Sequence, residues 1–152
     1  MTKPLLKPPQ IQQFRDYLER HRLRFTQERQ LILEQTFALK NHFRADDLLF
    51  QMVGNGYKTS KATIYRTLPL LVQSGLLTEI IGAQNQTMYE PVQSDIRQHA
   101  HLICVRCSEI IEFRDSEIKA KQQVICASHQ FQPLKYRHEI LGYCAQCSDR
   151  SN

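Results

Sequence analysis

No stretch of this sequence approaches the 18 consecutive apolar residues that a membrane-crossing helix requires. The chain opens MTKPLLKPPQ, polar and rich in proline, which is not a secretory leader. The expectation is therefore a cytoplasmic protein with no membrane partner. Internal repeats and low-complexity tracts are also lacking. No serine or threonine stands in triad-like company, and nothing marks a pocket for a small-molecule substrate, so the chain reads as a binding protein and not an enzyme. Cysteine is scarce, five in 152 residues, and an odd count fits a disulfide framework poorly. In a reducing compartment, paired cysteines mean metal or redox chemistry. An apolar fraction of 41% is sufficient for one ordinary core or two small ones.

A strong excess of one charge is missing as well, since the net charge is +5. The balance is uneven, however. Residues 1–90 hold 12 Lys and Arg against 8 Asp and Glu, and residues 91–152 hold 8 against 7. The basic half fits a polyanionic partner or an ordinary solvated surface equally well.

What is present is periodicity. Ile11, Phe14 and Leu18 recur at helical spacing, and Arg20, Arg22 and Arg24 follow. Thr26 is placed to cap a second helix with Leu31, Ile32, Gln35, Phe37 and Leu39 inward. A third helix is expected over 45–52, with Leu48, Leu49 and Met52 inward, ended by Gly54-Asn55-Gly56. Ser60 caps a fourth through about Gln73, and Ser74-Gly75 stops it. Two strand-like runs, 76–81 and 86–90, make a hairpin across Gly82-Ala83-Gln84-Asn85.

Helices followed by a hairpin predict a winged helix-turn-helix, whose last helix reads the major groove of double-stranded DNA. On that helix Ile64 and Leu68 point inward, so Lys61, Thr63, Tyr65, Arg66 and Thr67 are expected to face outward. Cationic side chains there neutralise phosphates or reach guanine edges, and Tyr and Thr pack on thymine methyls. Residues 91–98 read as a hinge. Beyond it, strands are expected over 101–105, 110–113 and 131–143, with a helix over 115–129. The fold class is α+β.

Cys104-Val-Arg-Cys107 is answered by Cys144-Ala-Gln-Cys147. A two-residue gap lets both thiolates of a doublet turn onto one ion, and two doublets fill a closed tetrahedral zinc site. With no position open, such a zinc is structural. A thioredoxin-like pair would explain one doublet but not two. His99 and His101, one residue apart, share a side of any strand they occupy. With carboxylates such as Glu90 and Glu112 they suit Fe(II), Mn(II), Co(II) or Zn(II); alone, such a pair is more often surface histidines than a metal site.

Thr26-Gln-Glu-Arg29, Ser60–Leu70, His99-Ala-His101-Leu-Ile-Cys104-Val-Arg-Cys107, Ile111-Glu-Phe113 and Cys144-Ala-Gln-Cys147 follow one another between about residues 10 and 148. In that order they resemble the ferric uptake regulator family. The resemblance implies a homodimeric, metal-dependent transcriptional repressor. It implies a winged-helix DNA-binding domain over 1–90, a hinge over 91–98, and a small α/β dimerisation and metal-binding domain over 99–152. By the resemblance, His42, Glu90, His99, His101 and Glu112 hold the regulatory metal, and Cys104, Cys107, Cys144 and Cys147 hold structural Zn(II). Arg24 and Arg29, with Lys61, Thr63, Tyr65 and Arg66, face DNA.

Many relatives have a further metal site; here its positions match Gln98, Ala100, Lys119 and Tyr136, and with a cation at Lys119 that site is expected to be absent. By the resemblance, in which the peroxide-sensing branch tends to carry aspartate at these positions, Glu90 and Glu112 favour Fe(II)-dependent control of iron homeostasis, with Fe(II) or Mn(II) as regulatory ion. The alternatives are a peroxide-responsive repressor working through histidine oxidation, and a zinc-uptake regulator. Cys126 has no assigned role.

Overall fold

The computed structural model describes residues 8–39, 42–92, 99–134 and 136–148. Two compact units emerge: Met1–Ile81 with Gln86–Gln93, and Ser94–Asn152 with the hairpin turn Gly82–Asn85. Most of the expected hinge, residues 93–98, lies outside the described residues.

The first unit begins with helix α1 (Pro8–Arg20), where proline is tolerated because the first turn needs no N–H donor. Helix α2 (Gln27–Ala38) starts at Thr26, whose hydroxyl accepts the Arg29 N–H at 3.2 Å. Helix α3 (Ala45–Gly54) follows Arg44, whose backbone N–H donates to the Asp47 carboxylate at 2.9 Å. Gly56, at φ +81, takes the left-handed conformation that ends the turn after α3. Helix α4 (Lys61–Gln73) is capped by Ser60, which accepts the Thr63 N–H at 3.1 Å, and it runs through Pro69.

Strands β1 (Leu77–Ile81) and β2 (Thr87–Pro91) pair antiparallel across a 3-10 turn at Ala83–Asn85. Phe14, Leu18, Ile32, Leu33, Leu48, Met52, Ile64, Leu68 and Leu71 are fully buried in one core. Burying each such side chain contributes about 1.5–3 kcal/mol.

Thr67 corrects one expectation. It is fully buried, not outward, and its hydroxyl donates to the Thr63 carbonyl at 2.7 Å. Position 67 lies three residues after Ile64 and four before Leu71, so it shares their inward stripe.

The second unit is a three-stranded sheet. Strand β3 (Ala100–Cys104) lies between β4 (Ile110–Phe113), antiparallel to it, and β5 (Glu139–Gly142), parallel to it. Helix α5 (Ser116–Ser128) supplies the crossover that a parallel pairing needs, capped by Asp115, whose carboxylate accepts the Glu117 and Ile118 N–H groups. A short α6 (Ala145–Ser148) closes the described chain.

The strand expected over 131–143 is far shorter. Its partner β3 has only five residues, so the ladder runs no further than His101–Glu139 to Cys104–Gly142. Pro133 also has no N–H to give to a ladder.

Candidate metal centres and nucleic-acid surface

The parallel pairing of β3 with β5 sets Cys104 opposite Gly142, two residues before Cys144. Each doublet then turns tightly. The Ser108 N–H donates to the Cys104 carbonyl at 3.0 Å, with Ser108 at φ +62. The Cys147 and Ser148 N–H groups donate to the Cys144 carbonyl at 2.9 and 2.8 Å. The result gathers all four Sγ atoms within 4.8 Å of one another, with Cys107 and Cys144 3.7 Å apart. A tetrahedron with Zn–S bonds of 2.3 Å has edges of about 3.8 Å. The four cysteines therefore suit a closed zinc site.

Electrostatics around the thiols are uneven. Backbone N–H donors, chiefly that of Cys107, hold the Cys104 thiol down at about 6. The Glu109 side chain and burial push Cys144 up to about 12, and burial raises Cys147. Arg106 ties the two turns together: its guanidinium donates to the Cys147 carbonyl at 3.1 Å and lies 5.5 Å from the Tyr143 ring centroid. Sequence reasoning passed over Glu109 and Arg106. Their position inside or just after a cysteine doublet was the available signal.

The imidazole and carboxylate candidates form two sets. In the first unit, Phe43 and Tyr89 make an antiparallel bridge with reciprocal backbone bonds of 3.0 and 2.8 Å. Their rings turn to the core, so the neighbours His42 and Glu90 share the opposite side, with Nε2 and Oε2 3.7 Å apart. In the second unit, His101 pairs directly with Glu112, and His99 lies two residues back on the same face. The two imidazoles meet edge to face at 4.7 Å, and His99 Nε2 lies 3.9 Å from Glu112 Oε2. His101 is buried, whereas Glu112 is about half exposed. Strand pairing thus assembles each set from residues that are distant or alternating in sequence.

Of the positions matching the further site, Ala100, Lys119 and Tyr136 line one shallow pocket together with His99 and His138, and Gln98 lies outside the described residues. Cys126 stands on α5, and burial together with its thiol raises the Tyr136 phenol.

On the first unit, Lys61, Tyr65 and Arg66 are exposed along α4 and Thr63 is half buried. Arg24 is exposed, and Arg29 donates to its carbonyl at 2.6 Å. Asp46, which sequence reasoning did not single out, faces this helix.

Residues 20–141 match the model of the ferric uptake regulator family. The chain belongs to that family. Its members are metal-responsive transcriptional regulators, not enzymes. The ferric uptake regulation protein of Escherichia coli is 32% identical over 130 residues, covering 85% of this chain and 86% of that one. The peroxide operon regulator of Bacillus subtilis is 31% identical, covering 86% and 88%. A structure of the Francisella tularensis ferric uptake regulator with iron superposes at a TM-score of 0.67, with 31% identity over 83% of this chain and 95% of that one. Among the described residues, no helix of this family member is long and apolar enough to cross a membrane.

Proposed function

We propose that this chain is an Fe(II)-dependent homodimeric repressor that binds operator DNA to control iron homeostasis. The carrying observation is the pair of histidine and glutamate sets, His42 with Glu90 and His99 with His101 and Glu112. Neither set fills a coordination sphere alone, and mixed nitrogen and oxygen ligands suit Fe(II) or Mn(II). One ion bonded by all five would draw ligands from both units, so its arrival would restrict the angle between them. In a dimer that angle sets the distance between the two α4 helices, for which one duplex turn, ~34 Å, is productive. Arg24, Arg29, Lys61, Thr63, Tyr65 and Arg66 would meet the duplex. Zn(II) on the four cysteines would hold the second unit together.

Dimerisation is supported by the open face of the second unit. Ile111, Leu102 and Ile140 form one cross-strand row on β4, β3 and β5, and they are 46%, 37% and 47% exposed. Helix α5 buries no residue and leaves Val124 and Ile125 more than half exposed. A second copy of the chain covers such surface symmetrically.

The deciding experiment is an operator-binding titration with Fe(II), Mn(II) and Zn(II), with and without peroxide. Binding that Fe(II) promotes and peroxide leaves intact supports iron control. Rapid irreversible loss, with oxygen added to His42, His99 or His101, would favour a peroxide-responsive repressor. The near-equal identities to the E. coli and B. subtilis relatives make that arm necessary.

A further inference from the structure

The first turn of α3 places two carboxylates side by side, and they do different work. Asp47 closes the cap, accepting from the Arg44 backbone and guanidinium. Asp46 turns instead toward α4. Its Oδ1 accepts both the Lys61 ammonium at 2.9 Å and the Tyr65 hydroxyl at 3.1 Å. Lys61 and Tyr65 are four residues apart, so they stand on one helical face, and the ammonium lies 5.2 Å from the Tyr65 ring centroid. Arg66 is held separately, by its own bond to the Ala62 carbonyl at 3.2 Å.

We propose that Asp46 is a specificity-determining residue of the DNA-reading surface: it keeps Lys61 and Tyr65 on one carboxylate oxygen, so that the lysine's charge is neutralised and both side chains meet the duplex fixed in direction. This rests on α4 being the element that reads DNA.

The argument is one of charge and geometry. A free lysine on a reading helix neutralises a phosphate and releases counterions, adding affinity for every sequence alike. Lysine paired with aspartate adds no net charge, so it removes a sequence-independent contribution. Tyr65, with its hydroxyl donated to Asp46, presents its ring to the groove, and an apolar surface discriminates by contact with thymine methyls. Exposed ion pairs stabilise folds little, so this arrangement is poorly explained as a support for the helices. The mutual hydrogen bonds lower Asp46 and raise Lys61, and both are charged at neutral pH.

The test uses the full-length, metal-loaded dimer with four sequences: wild type, Asp46→Asn, Lys61→Met and the double variant. The probes are a duplex selected by the wild type from a random library and an unselected duplex of equal length, across a salt range. Asp46→Asn is expected to steepen the log–log salt slope by about 0.9 on both probes. That equals about 3.5-fold more affinity lost between 50 and 200 mM salt. It should also lower the ratio of selected to unselected binding. Lys61→Met, which leaves the Asp46 carboxylate unpaired, should weaken binding to both probes alike, and in the Asp46→Asn background it should remove the added slope. The inference is overturned if the double variant keeps the whole added slope of Asp46→Asn, or if Asp46→Asn changes neither slope nor ratio. A random library from which the wild type selects no duplex overturns the reading of α4 itself, and this inference with it.

Discussion

At the scale of single residues, the two proposed metals depend on different chemistry. His101 is buried on β3, with Glu112 opposite and His99 beside it. Losing merely an outer-shell partner of a metal costs about 10–100-fold in affinity, so removing a ligand should cost at least that. His101→Ala is therefore expected to abolish metal-promoted operator binding while zinc content, measured by elemental analysis, stays at wild type. Unchanged metal dependence would remove His101 from the sensing set.

The cysteines make a pH prediction. Ligand thiols must lose their protons to bind zinc. Cys104, held at about 6, is already a thiolate at neutral pH, whereas Cys144, pushed up to about 12, gives up a proton when zinc arrives. Apparent zinc affinity should then rise with pH by about tenfold per unit for each proton released. Below pH ~6 Cys104 is protonated too, and the dependence should steepen by one further proton. Competition against a chelator at several pH values reads this directly; a flat profile between pH 6 and 8 would contradict the asymmetry.

At the scale of elements, the zinc doublets sit where β3 ends and β5 ends, and those strands carry Leu102 and Ile140 of the open apolar row. Loss of the clamp should loosen the strand pairing that composes this face. Cys107→Ser is expected to lose zinc and weaken the dimer together, read by sedimentation over a dilution series beside metal analysis. A zinc-free variant whose dimer is as tight as wild type would deny the clamp its structural role.

Elements were also where sequence patterns spoke most clearly. Thr26 and Ser60 cap helices as expected, because a hydroxyl before an apolar period leaves the backbone few other options. The helix over 115–129 was legible for the same reason, with Asp115 at its start. Thr67 and the long final strand were misread. Thr67 is polar, yet its hydroxyl is satisfied by its own helix and it fills the inward stripe. The length of β5 is set by the short β3 it pairs with, which no pattern within residues 131–143 encodes. His42 and Glu90 are the sharper case. Their proximity follows from the Phe43–Tyr89 bridge, a tertiary contact between a loop and a strand; Glu90 was a candidate carboxylate from the sequence, and only the family resemblance named His42 beforehand.

At the scale of the whole molecule, the proposal is a thermodynamic coupling between two ligands. If one ion draws on His42 and Glu90 as well as His99, His101 and Glu112, it binds one arrangement of the two units more tightly than others. Metal can favour DNA only to the extent of that difference, and linkage requires DNA to tighten metal by the same factor. A typical coupling of ~1–3 kcal/mol is about 5–150-fold. Complete switching, from 1:99 to 99:1, would need about 5.5 kcal/mol, which two linked protomers reach more readily than one. The expected outcome is that saturating operator duplex lowers the Mn(II) dissociation constant, measured calorimetrically in zinc-loaded protein, by the factor with which Mn(II) tightens operator binding. Glu90→Ala should shrink both factors together, because it removes a first-unit ligand and leaves the His99, His101 and Glu112 set whole. If Glu90→Ala weakened the metal while the ratio of the two affinities kept its wild-type value, the ion would be acting from the second unit alone, and the angle between units would not be what it controls.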